Sequence, residues 1–73
     1  MKHATYARYR FPDGAIEVHS FEGAAPFGWV TKRGIGTLIG AAVIANSREQ
    51  AEALFADIDT IIATIRARTE ETL

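Results

Sequence analysis

The chain has no cysteine, which excludes disulfide staples, thiolate metal sites and redox chemistry at sulfur. Its two histidines are too few for a metal site without carboxylate help, and His3 and His19 fit no usual ligand spacing such as HExxH or HxH. Nor is there an excess of charge of one sign. Eight Lys and Arg against nine Asp and Glu leave a formal net charge of −1, so no net basic field draws in nucleic acid or anionic lipid, and any such binding must use a local patch. Long apolar runs are absent too. The longest, residues 35–45, is about half of the roughly 20 residues a membrane-spanning helix needs. The opening residues Met1-Lys2-His3-Ala4-Thr5-Tyr6 lack the apolar core of a secretory signal. A cytoplasmic protein with no membrane contact is the expectation.

What is present is globular. The 73 residues, 48 % apolar and 23 % charged, suit one folded domain and argue against intrinsic disorder. A core of this size without staples rarely supplies more than about 3–5 kcal/mol. A homodimer or an obligate partner is therefore expected.

Residues 4–11 and 15–21 alternate with period two around Pro12-Asp13-Gly14, which reads as a β-hairpin over about 4–21. Pairing Phe11 with Ile16 makes each face chemically uniform. Tyr9 then meets Val18 and Ala7 meets Ser20 on one face, while Arg10 meets Glu17, Arg8 meets His19 and Tyr6 meets Phe21 on the other. A one-residue slip would set Arg10 against Ile16 and Arg8 against Val18, so the hydrophobic pattern selects the first register. Tyr9, Phe11, Ile16 and Val18 are expected to face the core.

Residues 22–34 are rich in Gly and Pro and read mostly as loop, with a short strand from Trp29 to Lys32 turning at Arg33-Gly34. Residues 35–45 are apolar on both period-two faces and read as a buried strand. The alternative is a short helix with Gly36 and Gly40 as a close-packing face, but the glycines at 34, 36 and 40 would each cost a helix about 1 kcal/mol relative to Ala.

Ser47-Arg48-Glu49-Gln50 has capping-box spacing. Ala51, Leu54, Phe55, Ile58, Ile61, Ile62 and Ile65 then form one apolar stripe. A helix over about 47–68 follows, with Ile58 and Ile62 toward the sheet, Glu49, Glu52, Asp57 and Asp59 as a solvated face, and residues 69–73 as a frayed tail. The fold class is α+β: an antiparallel sheet of three to four strands, β-β-(β)-β-α, with one long C-terminal amphipathic helix packed on one face.

Little of this carries chemistry. Gly34-Ile35-Gly36-Thr37-Leu38-Ile39-Gly40 misses the dinucleotide fingerprint by one place and follows a loop. His19 has no nucleophile to serve as base. No catalytic role and no cofactor are expected.

The informative surface is the polar and aromatic face of the hairpin, Tyr6, Arg8, Arg10, His19 and Phe21, because Tyr and Arg are enriched where proteins bind partners. The bland reading is that Tyr6 and Phe21 merely cap each other on an exposed sheet. Pro26-Phe27-Gly28-Trp29 adds two aromatics on a loop, where Trp29 either folds back as a lid or stands exposed as an anchor. Phe27, Trp29, Lys32 and Arg33 complete the candidate surface. A homodimeric module that binds another protein as a regulator, adaptor or inhibitor is the first reading. A nucleic-acid-binding regulator using Arg8, Arg10, Lys32 and Arg33 is the second.

In element order, ending in Ala45-Asn46-Ser47-Arg48-Glu49-Gln50-Ala51-Glu52-Ala53-Leu54, the chain resembles several small α+β modules, among them the arm-type DNA-binding domains of recombinases. In size and shape it is also similar to small phage inhibitors. The recombinase domains are basic as a class and this chain is slightly acidic, so their function is not carried over and no family is assigned.

Overall fold

A computed structural model describes residues 3–71. Four strands, β1 (Ala4–Arg10), β2 (Ile16–Phe21), β3 (Gly28–Thr31) and β4 (Gly34–Ala45), form one antiparallel sheet in the order β2-β1-β4-β3, followed by a single helix α1 (Arg48–Glu71). The α+β class and the element order are those expected from the sequence. Residues 35–45 lie within one strand. The helix continues through positions 69 to 71, which had read as tail; positions 72 and 73 lie outside the described residues.

The hairpin register differs from the sequence expectation. Tyr9 pairs with Glu17, Arg8 with Val18, Arg10 with Ile16 and Ala7 with His19, the slip that uniform faces had disfavoured. The turn decides it. Phe11 N–H donates to Ala15 O at 2.9 Å and Gly14 N–H to Phe11 O at 2.9 Å, with Gly14 at φ 86°. A three-residue loop closed by a left-handed glycine thus makes Phe11 and Ala15 partners and shifts every later pair by one. Asp13 Oδ1 accepts from Ala15 N–H at 2.9 Å and fixes the loop further.

Mixed pairs are tolerated because both sheet faces are covered. On one face, Tyr6, Val18, Val43 and Leu54 pack around Ala45, Ala51 and Phe55, which joins sheet to helix. On the other face the sheet curls into a half-barrel around Ala7, Tyr9 and Phe11, with Phe21, Ala25, Trp29 and Leu38 against them. Tyr9 and Phe11 therefore lie opposite the helix rather than beneath it. Ile16 shares the helix side, but α1 does not reach it and it is exposed.

Glycine makes the curl. An added Cβ at Gly36 would stand 2.8 Å from Phe11 Cε1 and Cζ and 3.0 Å from Tyr9 Cβ, so only glycine lets Phe11 lie against β4. Between the pairs Tyr6–Val43 and Arg8–Ile39 the register of β4 against β1 shifts by two residues, with Gly40 there at φ 65°, and such a bulge bends the strand. The strand is not buried along its length: Ile35 and Ile44 are exposed.

The helix start obeys its local signal. Gln50 N–H donates to Ser47 Oγ at 3.1 Å, which satisfies a donor that the first turn leaves open, and Gln50 Oε1 reaches back past the N-cap to accept from Asn46 N–H at 2.7 Å. Twenty-four residues make α1 about 36 Å long. The twelve residues of β4, the strand that it packs against, span about 40 Å when extended, yet the buried residues of the helix, Ala51 and Phe55, both lie in its N-terminal half.

Candidate functional site

The nine residues that the sequence nominated do not form one surface. The register places Tyr6, Arg8 and Arg10 on the helix side, and His19, Phe21 and Trp29 on the half-barrel side. The expected contacts of Arg8 with His19 and of Tyr6 with Phe21 are absent, since those residues point to opposite faces. Phe27, Lys32 and Arg33 are exposed.

On the half-barrel side an aromatic cluster closes the curl. Trp29 meets Phe21 edge-on with ring centroids 4.9 Å apart and His19 at 5.8 Å, and Tyr9 stands 6.0 Å from both His19 and Phe21. Tyr9 Oη donates to Pro26 O at 2.7 Å, which ties the loop down, while burial pushes the Tyr9 phenol above its ordinary pKa. Trp29 is thus a half-buried lid that joins the two edge strands.

A polar rail runs beside the cluster. Arg33 Nη1 donates to Asp13 Oδ2 at 2.9 Å, Arg33 Nε lies 2.6 Å from Glu17 Oε2, and Glu17 Oε1 lies 2.8 Å from His19 Nε2. The hydrogen bond from the Ala15 N–H holds the Asp13 carboxyl below its usual range against desolvation that would raise it, with Arg33 adding to the lowering.

On the helix side, Arg8 is the organising group. It donates to Asp59 Oδ2 at 2.8 Å and to Oδ1 at 3.0 Å, and its guanidinium carbon stands 4.4 Å from the centre of the Phe55 ring. The Arg8 hydrogen bonds lower the Asp59 pKa against a desolvation that would raise it. Asp59, which had read as part of a solvated face, is instead a tether. Arg8 Nε is buried without a hydrogen-bond partner.

Past this tether the helix and sheet diverge. They leave a groove of about 460 Å³ lined by Arg8, Arg10, Ile39, Gly40, Asp59, Ile62, Ala63 and Arg66. Ile62, expected to pack on the sheet, is 41 % exposed at its edge, and Ile61 and Ile65 are each 58 % exposed. These isoleucines are the surface that sequence reasoning missed. The stripe was visible, but it was assigned wholly to the core, and the register shift at Gly40 that bends β4 leaves no mark in the helix periodicity.

Among the described residues, no group of three or more His, Cys, Asp or Glu side chains is placed to hold a metal ion. No described helix is long and apolar enough to cross a membrane. No family model, curated protein or solved structure matches the chain.

Proposed function

We propose that this protein is a small non-enzymatic binding module that works as a homodimer and acts on another protein as a regulator, adaptor or inhibitor. The observation that carries the reading is its uncovered surface. The chain presents 5517 Å² to solvent, whereas a folded monomer of 8.0 kDa presents about 4,450 Å². Its radius of gyration is 14.1 Å, against about 11 Å for a closely packed chain of this length. The excess, roughly 1,000 Å², is what one partner contributes to an interface of standard size, about 800 Å². Apolar side chains supply much of it: Phe27 is 86 % exposed, and Val30, Ile35 and Ile44 are exposed too.

The nucleic-acid reading has weaker support. Two of the four cations it would use are already neutralised within the chain, Arg8 by Asp59 and Arg33 by Asp13 and Glu17. Sedimentation equilibrium at micromolar concentration tests the dimer, with a mass of twice 8.0 kDa expected. A salt series with a single-stranded oligonucleotide tests the alternative. Binding that weakens steeply with log[salt] favours a nucleic-acid regulator and overturns the protein-binding reading.

A further inference from the structure

The Arg8–Asp59 tether is one rung of a ladder between β1 and α1. Phe55 and Tyr6 belong to one packed cluster, Asp59 holds Arg8 further along both elements, and Arg10 comes next on the same face of the strand. One helical turn past Asp59 stands Ala63, and Arg66 follows on the same side of the helix. Ala63, Arg66 and Arg10 line the groove together. The rung before sets an arginine against an aspartate. This one has an arginine on each element, with alanine at the helix position that corresponds to Asp59.

Among the described residues nothing neutralises these two charges. Arg10 and Arg66 make no hydrogen bond or ion pair there, Glu70 one turn beyond Arg66 included, and both oxygens of Asp59 are taken by Arg8. Like charges on the two elements oppose closure, and the groove of about 460 Å³ between them is of ligand-binding size, about 300–1,000 Å³. Its apolar lining comes from Ile39 and Ile62, and a Cβ added at Gly40 would meet nothing within 4 Å. An occupant that fits brings a carboxylate to the arginines and an apolar group to the isoleucines. Nucleic acid fits less well, because no aromatic side chain lines the groove to stack a base and two free cations are few for a phosphate backbone. A small molecule would leave Ile62 and Ile65, both exposed and about 60° apart round the helix, largely in water, whereas a protein brings surface to cover them.

We infer that this groove binds an acidic segment of another protein. A glutamate or aspartate of that segment sits between Arg10 and Arg66, as Asp59 sits against Arg8, and an apolar neighbour packs on Ile39 and Ile62. The inference rests on the protein-binding reading and gives the partner's chemistry.

Titration of the isotope-labelled chain, followed by amide NMR shifts, tests the groove with three probes: a short blocked peptide alternating leucine and glutamate, the same peptide with glutamine for glutamate, and a single-stranded oligonucleotide. The glutamate peptide is expected to move the Arg10, Gly40, Ala63 and Arg66 resonances, and the glutamine peptide to bind about fivefold more weakly or less. Arg10→Gln and Arg66→Gln should each weaken the glutamate peptide by about threefold to fivefold, with the fold kept because both side chains are exposed. Ala63→Glu, at an exposed helix position, supplies the missing carboxylate from within and should abolish peptide binding while raising the melting temperature. Should an arginine variant unfold, Ala63→Glu decides alone. A glutamate peptide that does not bind, or binds no better than the glutamine peptide, overturns the inference and leaves the protein-binding reading standing. Peptide binding unchanged in Ala63→Glu, or in both folded arginine variants, overturns the placement in this groove. An oligonucleotide that moves these resonances with a steep salt dependence, where neither peptide does, overturns both the inference and the protein-binding reading.

Discussion

Arg8 and Asp59, 51 positions apart in sequence, are joined by two hydrogen bonds of 2.8 and 3.0 Å, and this pair marks where the helix stops being held by the sheet. On the N-terminal side of Asp59, Phe55 is packed among Tyr6, Val18 and Val43. On its C-terminal side, Ile61, Ile62 and Ile65 are open.

Truncations along α1 should therefore fall into two groups. Phe55, 3 % exposed, should cost about 3–5 kcal/mol when changed to Ala. Ile62→Ala, at the edge of the groove, should cost about 1 kcal/mol or less. Urea unfolding of the two variants checks this, and equal losses would mean that the C-terminal half of the stripe is core.

Gly36→Ala should destabilise by about 1–3 kcal/mol, because its methyl would meet the Phe11 ring at 2.8 Å. Trimming the ring with Phe11→Leu in the same chain should make the added methyl less harmful than it is beside Phe11. Thermal melts of the single and double variants measure the coupling.

Trp29→Ala should lower stability rather than leave it unchanged, by about 2–3 kcal/mol, since the indole bridges Phe21 and His19. Tyr9→Phe should cost about 1 kcal/mol through the lost bond to the Pro26 carbonyl. Chemical denaturation followed by circular dichroism reads both.

Acid should weaken the fold through two named carboxylates. Asp59 and Asp13 both have folded pKa values below the ordinary 3.8. Their stabilisation is therefore fully present above the unfolded carboxylate range and is lost as pH falls through the lower folded values. Arg8→Ala should flatten the part of this dependence that Asp59 supplies. Melting temperatures from pH 7 downward for the parent and Arg8→Ala check it, and identical slopes would contradict the tether.

The local signals in this sequence were legible where one interaction decided the outcome. Ser47 and Gln50 announce the helix start because each caps a particular backbone group. Glycines at 34, 36 and 40 marked a strand because they count against a helix. The hairpin register was misread because uniform faces assume that one of them meets water, whereas here the helix covers one and the curl of the sheet covers much of the other. Gly14, third in its loop and left-handed, carried the correct register in its turn chemistry. The residues of the candidate surface divide between two faces for the same reason, since a shift by one residue sends Arg8 and His19 to opposite faces. The groove and the open isoleucines depend on how α1 lies across a bent β4, which periodicity alone does not report.

The claim that this chain works as a homodimer is tested most directly by melting it over about a hundredfold range of protein concentration. A dimer couples folding to association, so its melting temperature should rise steadily with concentration. A melting temperature that stays constant across the range would contradict the account.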